Sequence, residues 1–397
     1  MDNRAARRKA ATAGRRTRDR STRKSGETPS PGAGRVGTSR LPADARSESS
    51  EAVEPEALVV SHRLDSGEDG EPYSATVRLT GRRVGIGEDP RSQDTFAHED
   101  KIEGIVPGTG SVSITSWVYG LQPGAWTVSA ELVRPEGHGS RGRRVTAEPI
   151  PSAAWSWRRW ALSNGSAGTV KTRWAMLAPL AGMPGVIPGS WPALGALGAI
   201  VALITQAAIL VHEKVAVGQS LVVSLIALVS GMIGAKLWYA VLHPGPWRQA
   251  ILGGWAVDGF LIVAPIVAVA TLLAISLPVG VFLDGVTPGL FFGVAIGRLG
   301  CFLTGCCAGR ISRSRWAVWS SDRRVGARRI PAQLMESGAA LVIGGLAAAL
   351  VLGHAPRIDG AIFVGAFAAY VVVRQALLRV RAERRAFSWR RSRAAVA

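Results

Sequence analysis

Hydrophobic positions divide this chain into two unlike halves. From about residue 190 onward, long runs of Ala, Leu, Val, Ile and Gly recur, and six of them approach the ~20 residues that a helix needs to cross a bilayer. A seventh candidate, around 174–190, is interrupted by prolines and glycines. The pattern predicts a polytopic α-helical membrane bundle of six spans, or seven if the interrupted segment also crosses. The predicted spans lie at roughly 191–211, 217–242, 255–277, 279–297, 333–353 and 359–380.

The region of about 56–150 alternates between apolar and polar residues instead. The stretches 71–79, 111–119 and 126–133 each show the period of two that is typical of half-buried strands. The last two flank residues 120–124, a turn sequence rich in glycine and proline. We therefore predict a soluble, β-sandwich-like N-terminal domain. Its late turn and strand resemble a fibronectin type III module, and binding of a partner is the role that we expect for it.

Three flanking segments are interpreted from their composition. Residues 1–55 contain almost no bulky apolar side chains, so we expect a disordered basic tail. Residues 151–187 are interpreted as an interfacial linker, because their aromatic and basic side chains suit the headgroup region of a membrane; packing against the β-domain is the alternative. A membrane domain at 188–385 and a basic C-terminal tail at 386–397 come after it. The aromatic and basic residues of the linker are Trp155, Trp157, Arg158, Arg159 and Trp160.

The formal net charge of +19 is concentrated in the N-terminal tail, one loop and the C-terminal run. That placement beside apolar helices suits anionic lipid headgroups better than nucleic acid, so we expect membrane lipids as partners and no nucleic acid. The arginines after the last span predict a cytoplasmic C-terminus for a multi-pass protein of the cell membrane. With six spans the N-terminal domain would lie on the same side, which the lack of an apolar leader also favours, and with seven on the other.

Ionisable residues that interrupt apolar spans are the first candidates for chemistry, because such residues are costly in a bilayer and usually face a cavity or a partner. A structural role is the alternative for each of them, such as snorkelling by a lysine or helix capping by an aspartate. The set comprises Lys236, Asp258, Asp284, Arg298, Glu336 and Arg374.

The densest polar segment, 297–310, directly follows a predicted span and contains four glycines. We interpret it as a glycine-rich turn whose backbone a ligand can approach closely. Arg298 and Arg310 supply planar, permanently charged donors that suit a phosphate. An arginine at the end of a span beside such a turn predicts a site for a phospholipid headgroup.

The three cysteines, Cys301, Cys306 and Cys307, all lie in that segment. Their spacing lacks the Cys-x2-Cys pairs of structural zinc sites and no histidine lies nearby in the sequence, so we predict no metal. Packing of small residues in a tight turn and thiol redox chemistry remain as alternatives.

Residues 297–310 resemble the signature segment of the bacterial prolipoprotein diacylglyceryl transferase family. The segment of the family begins Gly-Arg-x-Gly, has an aromatic residue two positions after the second glycine and has a further glycine three positions beyond; residues 297–310 match this frame. Four other sites are similar to family motifs in the same order, and the resemblance covers about 188–385. They are Gly234-Ala235-Lys236-Leu237-Trp238-Tyr239, Asp284 with Pro288, Ile330-Pro331-Ala332-Gln333-Leu334-Met335-Glu336-Ser337, and Arg374.

The resemblance implies transfer of a diacylglyceryl group from phosphatidylglycerol to the lipobox cysteine thiol of a prolipoprotein, which forms a thioether without a cofactor. It implies that Arg298 and Arg374 bind and neutralise the phosphate leaving group as catalytic residues. Glu336 and Gln333 would hold the arginines or the headgroup. The remaining residues with an implied role in substrate binding are Lys236, Tyr239, Asp284, Gly297, Gly300 and Arg310.

The chain departs from the family pattern at several polar positions. A middle helix that commonly starts His-Gly-Gly has Asp258-Gly259-Phe260 here, so Asp258 becomes the candidate base for the incoming thiol. Signature asparagines and a glutamate are replaced by Cys301, Thr304 and Cys306, and a histidine is replaced by Ile330. Two alternatives therefore stay open. One is lipid transfer to another acceptor, or chemistry at the cysteines. The other is a non-catalytic lipid-binding membrane protein that recruits a partner through the β-domain or the Cys-rich loop.

Overall fold

The computed structural model describes residues 56–87, 91–135, 145–243, 254–353 and 358–382. All of them belong to one compact unit that spans residues 47–397. The tails predicted at 1–55 and 386–397 lie outside the described residues.

The N-terminal part is rich in β-strands, as the alternating pattern predicts, and two antiparallel sheets make it up. The first has the order β10-β1-β4-β12-β11, and the second has the order β3-β2-β5-β6 with β9 also paired to β5. A separate hairpin joins β7 to β8. The strands are β1 Glu56–Asp65, β2 Tyr73–Arg83, β3 Thr95–Ile105, β4 Ser111–Tyr119, β5 Ala125–Pro135, β6 Val145–Pro149, β7 Ala153–Ser156, β8 Ala161–Asn164, β9 Thr169–Lys171, β10 Arg173–Trp174, β11 Val318–Ser321 and β12 Val325–Arg329.

Both sheets contribute side chains to one hydrophobic core. Leu58 and Ile114 come from the first sheet, and Leu79 and Trp126 come from the second; all four are almost completely buried. The Trp126 indole donates a hydrogen bond to the carbonyl of Gln122 (3.1 Å), which satisfies its one polar atom inside the core. The β-rich character of this region is thus confirmed, whereas its likeness to a fibronectin type III module stays a prediction.

Two features of the sheets have no counterpart in the sequence pattern. Strands β7 to β10 lie within residues 151–187, the segment interpreted as a linker, and β9 and β10 complete the sheets. The β11–β12 hairpin comes from far along the chain, after four of the apolar helices, and pairs with β4 at Val325↔Ile114 and Gly326↔Ser113. The first sheet is therefore built from both halves of the chain.

Among the described residues, six helices are long and apolar enough to cross a membrane, which confirms the six predicted spans. The seventh candidate, around 174–190, forms the end of β10, a short 3-10 helix at Ala178–Ala181 and turns, because its glycines and prolines interrupt any longer helix. The helices are α1 Ser190–His212, α2 Val217–Leu242, α3 Val257–Ala274, α4 Val279–Thr304, α5 Ala332–Leu352 and α6 Ala361–Leu378.

Glycines allow α1 and α4 to approach each other backbone to backbone. A Cβ atom placed on Gly289 would lie 2.3 Å from the carbonyl oxygen of Ala202, and one on Gly198 would lie 2.6 Å from that of Gly293. Small residues serve this purpose in membrane bundles because no hydrophobic effect drives helices together in lipid. The same kind of contact joins α2 to α3, where Gly259 lies against Gly234.

Helix α4 is longer than the sequence pattern predicts. It continues through Thr304, so residues 297–304 are helical and the interpretation of this stretch as a glycine-rich turn is wrong. The physical reason lies in packing: Gly300 faces α1, where an added Cβ would lie 3.1 Å from the Cα of Trp191. The chain turns only at Gly305, whose φ of 74° is left-handed and suits glycine.

The directions of the helices define one end of the bundle at which the β-rich region is attached. Short loops join α1 to α2, α3 to α4 and α5 to α6, so these neighbours run antiparallel. The start of α1 then meets the end of α4, as the 3.0 Å hydrogen bond from the Trp191 amide to the Thr304 hydroxyl shows, and the start of α5 meets the end of α6, where Arg374 donates to Glu336 (2.8 Å). We call this the head end. Strand β12 leads directly into α5 there, which joins the β-rich region to the head end of the bundle.

Candidate active site

A buried carboxylate organises the head end. Glu336, in the second turn of α5, is completely inaccessible to solvent. Its Oε1 accepts hydrogen bonds from the Tyr370 hydroxyl (2.7 Å) and the Arg374 guanidinium (2.8 Å), and it forms an ion pair with Arg298 (2.9 Å). Its Oε2 accepts a hydrogen bond from Arg381 at 2.5 Å. Three arginines and a tyrosine therefore converge on a single carboxylate; we call these five residues the Glu336 cluster.

The fold explains why these side chains meet. Arg298 lies near the end of α4, and Glu336 lies near the start of α5. Tyr370 and Arg374 are four residues apart on α6, so they share one helix face. Arg381 follows α6 and is fixed by a bridge between its backbone and that of Gly309.

The charge of the cluster is unbalanced. Among the described residues, three guanidinium groups surround one carboxylate in it, which leaves two positive charges in excess. Buried charges require partners, because the protein interior solvates them poorly. The Arg374 side chain is 35% exposed and that of Arg298 is 16% exposed, so both remain accessible. The arrangement suits an anionic ligand, and planar guanidinium groups favour a phosphate in particular.

Other residues that the sequence predicts for the site lie beside this cluster. Arg298 also donates to the Cys301 thiol one turn further along α4, at 3.9 Å. Gln333 is 2% exposed, and its amide donates to the Cys306 carbonyl at 2.9 Å. Its Oε1 is buried and accepts no hydrogen bond from the described part of the chain. Arg310 is exposed and donates to the Arg381 carbonyl at 3.2 Å.

The two signature glycines serve different purposes. Gly300 is a packing residue against α1, as described above. A Cβ on Gly297, by contrast, would meet no atom within 4 Å, so this position faces open space one residue before Arg298. The geometry therefore leaves room for a ligand beside Gly297, whereas Gly300 acts by positioning α4.

A second group of predicted site residues lies on the α2–α3 pair. The Lys236 ammonium group donates to the Gly254 carbonyl (3.4 Å) and lies 4.5 Å from the centre of the Trp255 ring. Tyr239 stacks on His243 with ring centres 4.3 Å apart. Asp258 is exposed in the first turn of α3, and the described residues give it no hydrogen bond or ion pair with Arg298 or Arg374. The structure thus does not bring the candidate base into the Glu336 cluster, and its catalytic role stays a prediction.

Asp284 has a clear structural task. It is completely buried in α4, and its carboxylate accepts hydrogen bonds from the backbone amides of Gly360 and Phe363, both at 3.0 Å. These amides belong to the first turn of α6, at the end of the bundle opposite the head end. A carboxylate in this position caps the helix and complements its dipole. A role in substrate binding stays a prediction for this residue.

The β11–β12 hairpin supports the turn after α4. Arg329 is 3% exposed, and it donates to the Asp322 carboxylate (2.6 Å) and to the Gly309 carbonyl (3.1 Å). Burial lowers the pKa of Arg329 from its ordinary value, and the neighbouring Asp322 carboxylate opposes that shift. The hairpin is in turn held by the β-rich region, where Arg324 pairs with Asp100.

Two members of the Glu336 cluster were missed by reasoning from the sequence. Arg381 stands in an arginine run after the last span, which was interpreted only as a cytoplasmic flank. Tyr370 stands one turn before Arg374 on the same helix, and that spacing was the available indication. Both contribute a hydrogen bond to the same carboxylate.

Comparison with known proteins finds relatives of this chain. The prolipoprotein diacylglyceryl transferase family model matches residues 190–395, just over half of the chain. A phosphatidylglycerol–prolipoprotein diacylglyceryl transferase of Dehalococcoides mccartyi is 31% identical over 173 residues, which cover 40% of this chain and 63% of the relative. The protein of the same name from another strain is 34% identical over 110 residues, which cover 25% of this chain and 40% of the relative.

The matched region of these relatives is therefore less than two thirds of their length. The family-model match at 190–395 covers the membrane half of this chain, which contains all five residues of the Glu336 cluster. On the strength of the family match, this chain belongs to the prolipoprotein diacylglyceryl transferase family.

Proposed function

We propose that this protein transfers a diacylglyceryl group from phosphatidylglycerol to the cysteine thiol of a prolipoprotein, in the cell membrane. The observation that carries the proposal is the Glu336 cluster, in which three arginines share one buried carboxylate. Family membership and the names of the two relatives support the same reaction.

The charges of the cluster match the chemistry of this reaction. The acceptor thiolate attacks the glyceryl carbon that carries the phosphate ester, a C–S bond forms, and the C–O bond breaks. Phosphatidylglycerol carries one negative charge on its phosphate, and the glycerol phosphate that leaves carries up to two. The negative charge therefore grows as the C–O bond breaks, beside a cluster with two positive charges in excess. Interactions that strengthen toward the transition state are the ones that accelerate a reaction.

Individual residues have distinct tasks in this proposal. Arg298 and Arg374, the more accessible arginines, would contact the phosphate. Glu336, Tyr370 and Arg381 would hold them in place as positioning residues. The acceptor thiol also has to lose a proton, and Asp258 is the candidate base for this step.

A transfer assay tests the proposal. Proteoliposomes would contain the full chain and labelled phosphatidylglycerol, with a lipobox peptide as acceptor, and the thioether product would be measured. We expect product from the wild type and a loss of about 10²–10³-fold in rate for Arg298→Ala or Arg374→Ala. Asp258→Asn tests the base separately, since a base is expected to contribute about 10²–10⁴-fold.

Arg328→Ala is the matched control. This arginine also lies near the head end, but its guanidinium contacts only the Ala317 carbonyl among the described residues, at 3.2 and 3.4 Å. The transfer rate of Arg328→Ala should stay within about twofold of the wild-type rate, since surface changes away from a site have small effects. Absence of thioether product from folded wild-type protein, or equal losses for the control and for Arg298→Ala, would contradict the proposal.

A further inference from the structure

Three thiols lie together at the end of α4, beside the Glu336 cluster. Cys301 is 5% exposed, and Cys306 and Cys307 are partly exposed. The Cys306 thiol donates to the Cys301 carbonyl (3.6 Å). The backbone brings the first two together, because the Cys306 amide donates to the Cys301 carbonyl across the Gly305 turn (3.1 Å).

The surroundings of Cys301 differ from those of the other two cysteines. Its sulfur accepts a hydrogen bond from Arg298 at 3.9 Å, and that arginine belongs to a cluster with excess positive charge. Thiolates are the reactive form of cysteine, and positively charged surroundings make a thiol more reactive. Hydrogen bonds to the Cys301 and Cys307 thiols, together with burial, raise the pKa of Cys306, so Cys306 stays protonated and acts as a donor.

We propose that Cys301 and Cys306 are a peroxide-sensitive thiol pair, in which Cys301 reacts with a hydroperoxide and Cys306 then closes a disulfide with it. The proposal concerns a modification site and does not depend on the transfer reaction. It assigns the thiols a role that small packing residues such as alanine could not fulfil.

The chemistry is a two-electron oxidation in two steps. The Cys301 thiolate attacks one oxygen of the hydroperoxide, the O–O bond breaks, and the second oxygen leaves as an alcohol or water after taking up a proton. Cys301 is then a sulfenic acid. Cys306 releases its proton to solvent and attacks the Cys301 sulfur, the S–O bond breaks, and hydroxide leaves as water. The two thiols lose two electrons, which the hydroperoxide has accepted, and one S–S bond remains.

The thiol pair contacts the Glu336 cluster, which is the proposed site for an anionic ligand. Arg298 is the guanidinium that contacts Cys301, and it is also the one that would contact a phosphate. An anion bound there would offset the positive charge that favours the Cys301 thiolate. Oxidation of Cys301 should therefore be slower when the site is occupied by an anionic lipid than when it is empty.

The test is direct mapping of oxidised cysteines in the full chain. Protein purified in a neutral detergent would be treated with hydrogen peroxide, alkylated, digested and measured by mass spectrometry. We expect a Cys301–Cys306 disulfide in the wild type and in Cys307→Ser. In Cys306→Ser, we expect Cys301 sulfenic acid to accumulate and to be trapped by dimedone.

Two arginine variants test the role of charge. Arg298→Gln should slow the oxidation of Cys301 at least fivefold, whereas Arg328→Gln, the matched control on the β11–β12 hairpin, should leave the rate unchanged. Phosphatidylglycerol added to the micelles should slow the wild-type reaction more than phosphatidylcholine does. A disulfide that joins Cys306 to Cys307 instead, or a Cys301 rate that is unaffected by Arg298→Gln, would overturn the proposal whatever the transfer assay shows.

Discussion

Replacement of Glu336 by glutamine probes the arginine cluster most directly. The variant keeps the size of the side chain and an acceptor at Oε1, but it removes the only carboxylate in the described cluster. Three guanidinium groups would then surround a neutral side chain. An amide group at the position of Oε2 would also direct its N–H bonds toward Arg381, which donates to that atom in the wild type.

The expected loss of stability follows from the burial of the carboxylate. Removal of one partner from a buried ion pair costs about 3–5 kcal/mol, because the remaining charge is left uncompensated. Arg374 is 35% exposed and partly screened by solvent, so we take the lower end, about 3 kcal/mol. Large domains lose roughly 2 °C in Tm per kcal/mol, which gives a fall of about 6 °C for Glu336→Gln.

Thermal unfolding of the full chain in detergent, followed by tryptophan fluorescence, measures this fall. Phosphatidylglycerol should stabilise Glu336→Gln more than it stabilises the wild type, because the variant has one more positive charge to be neutralised. Glu99→Gln is the control. Glu99 pairs with Arg78 on the protein surface, where the side chains are 41% and 43% exposed, and loss of such a pair should lower Tm by less than about 2 °C.

Equal falls in Tm for the two variants would refute the reasoning, because they would show that the buried carboxylate does not organise the arginines. A large fall in the Tm of Glu336→Gln that phosphatidylcholine reverses as well as phosphatidylglycerol does would refute the expected preference for an anionic lipid. The cluster would then be a structural ion-pair network without preference for an anion.

Three further changes have defined outcomes. Burial lowers the pKa of His62 from 6.5 to about 4, so the unfolded state binds the proton first and stability is lost as the pH falls from 6.5 to 4. We expect a loss of about 3 kcal/mol over this interval in pH-dependent unfolding, which His62→Gln should abolish. Gly289→Ala should lower Tm by several degrees, because its Cβ would clash with the Ala202 carbonyl, whereas Gly195→Ala, which meets open space, should not. Asp284→Ala should destabilise the protein by about 1–2 kcal/mol in the same unfolding assay and leave the KM for phosphatidylglycerol unchanged, since its carboxylate caps a helix.

A residue type that is costly in its local surroundings can be recognised from the sequence alone. Charged residues inside apolar runs are rare, and this pattern alone indicates Arg298, Glu336 and Arg374 as site residues. Arg381 carries the same charge and contacts the same carboxylate, but it stands among other arginines beyond the last span. A local pattern cannot distinguish a buried arginine in such a run from a solvated one.

Features that depend on distant packing could not be predicted. The glycines at 297 and 300 indicated a turn, yet Gly300 lies within α4 because it packs against α1. Strands β11 and β12 are short and rich in arginine and serine, and their partner β4 lies about 200 residues earlier in the chain. No periodicity within the hairpin indicates that pairing.

The pairing of β4 with β12 has a consequence for the order in which the protein is made. Residues 113 and 114 leave the ribosome long before residues 325 and 326, and four apolar helices are synthesised in between. During that interval one edge of β4 has no strand beside it, and the core lacks Val325 and Ala327. Exposed strand edges promote wrong pairing between chains, so this interval is the vulnerable stage of biogenesis.

Synthesis of four of the six helices therefore precedes completion of the N-terminal sheet, although most strands of that sheet come first in the chain. A fragment that ends before residue 318 would carry an open edge at β4 and would be expected to aggregate. Replacement of the N-terminal strands of this chain by another sequence would leave the β11–β12 hairpin without its partner β4 unless the new sequence supplies a matching strand. The two halves of the chain share one sheet, so neither half can be replaced without regard to the other.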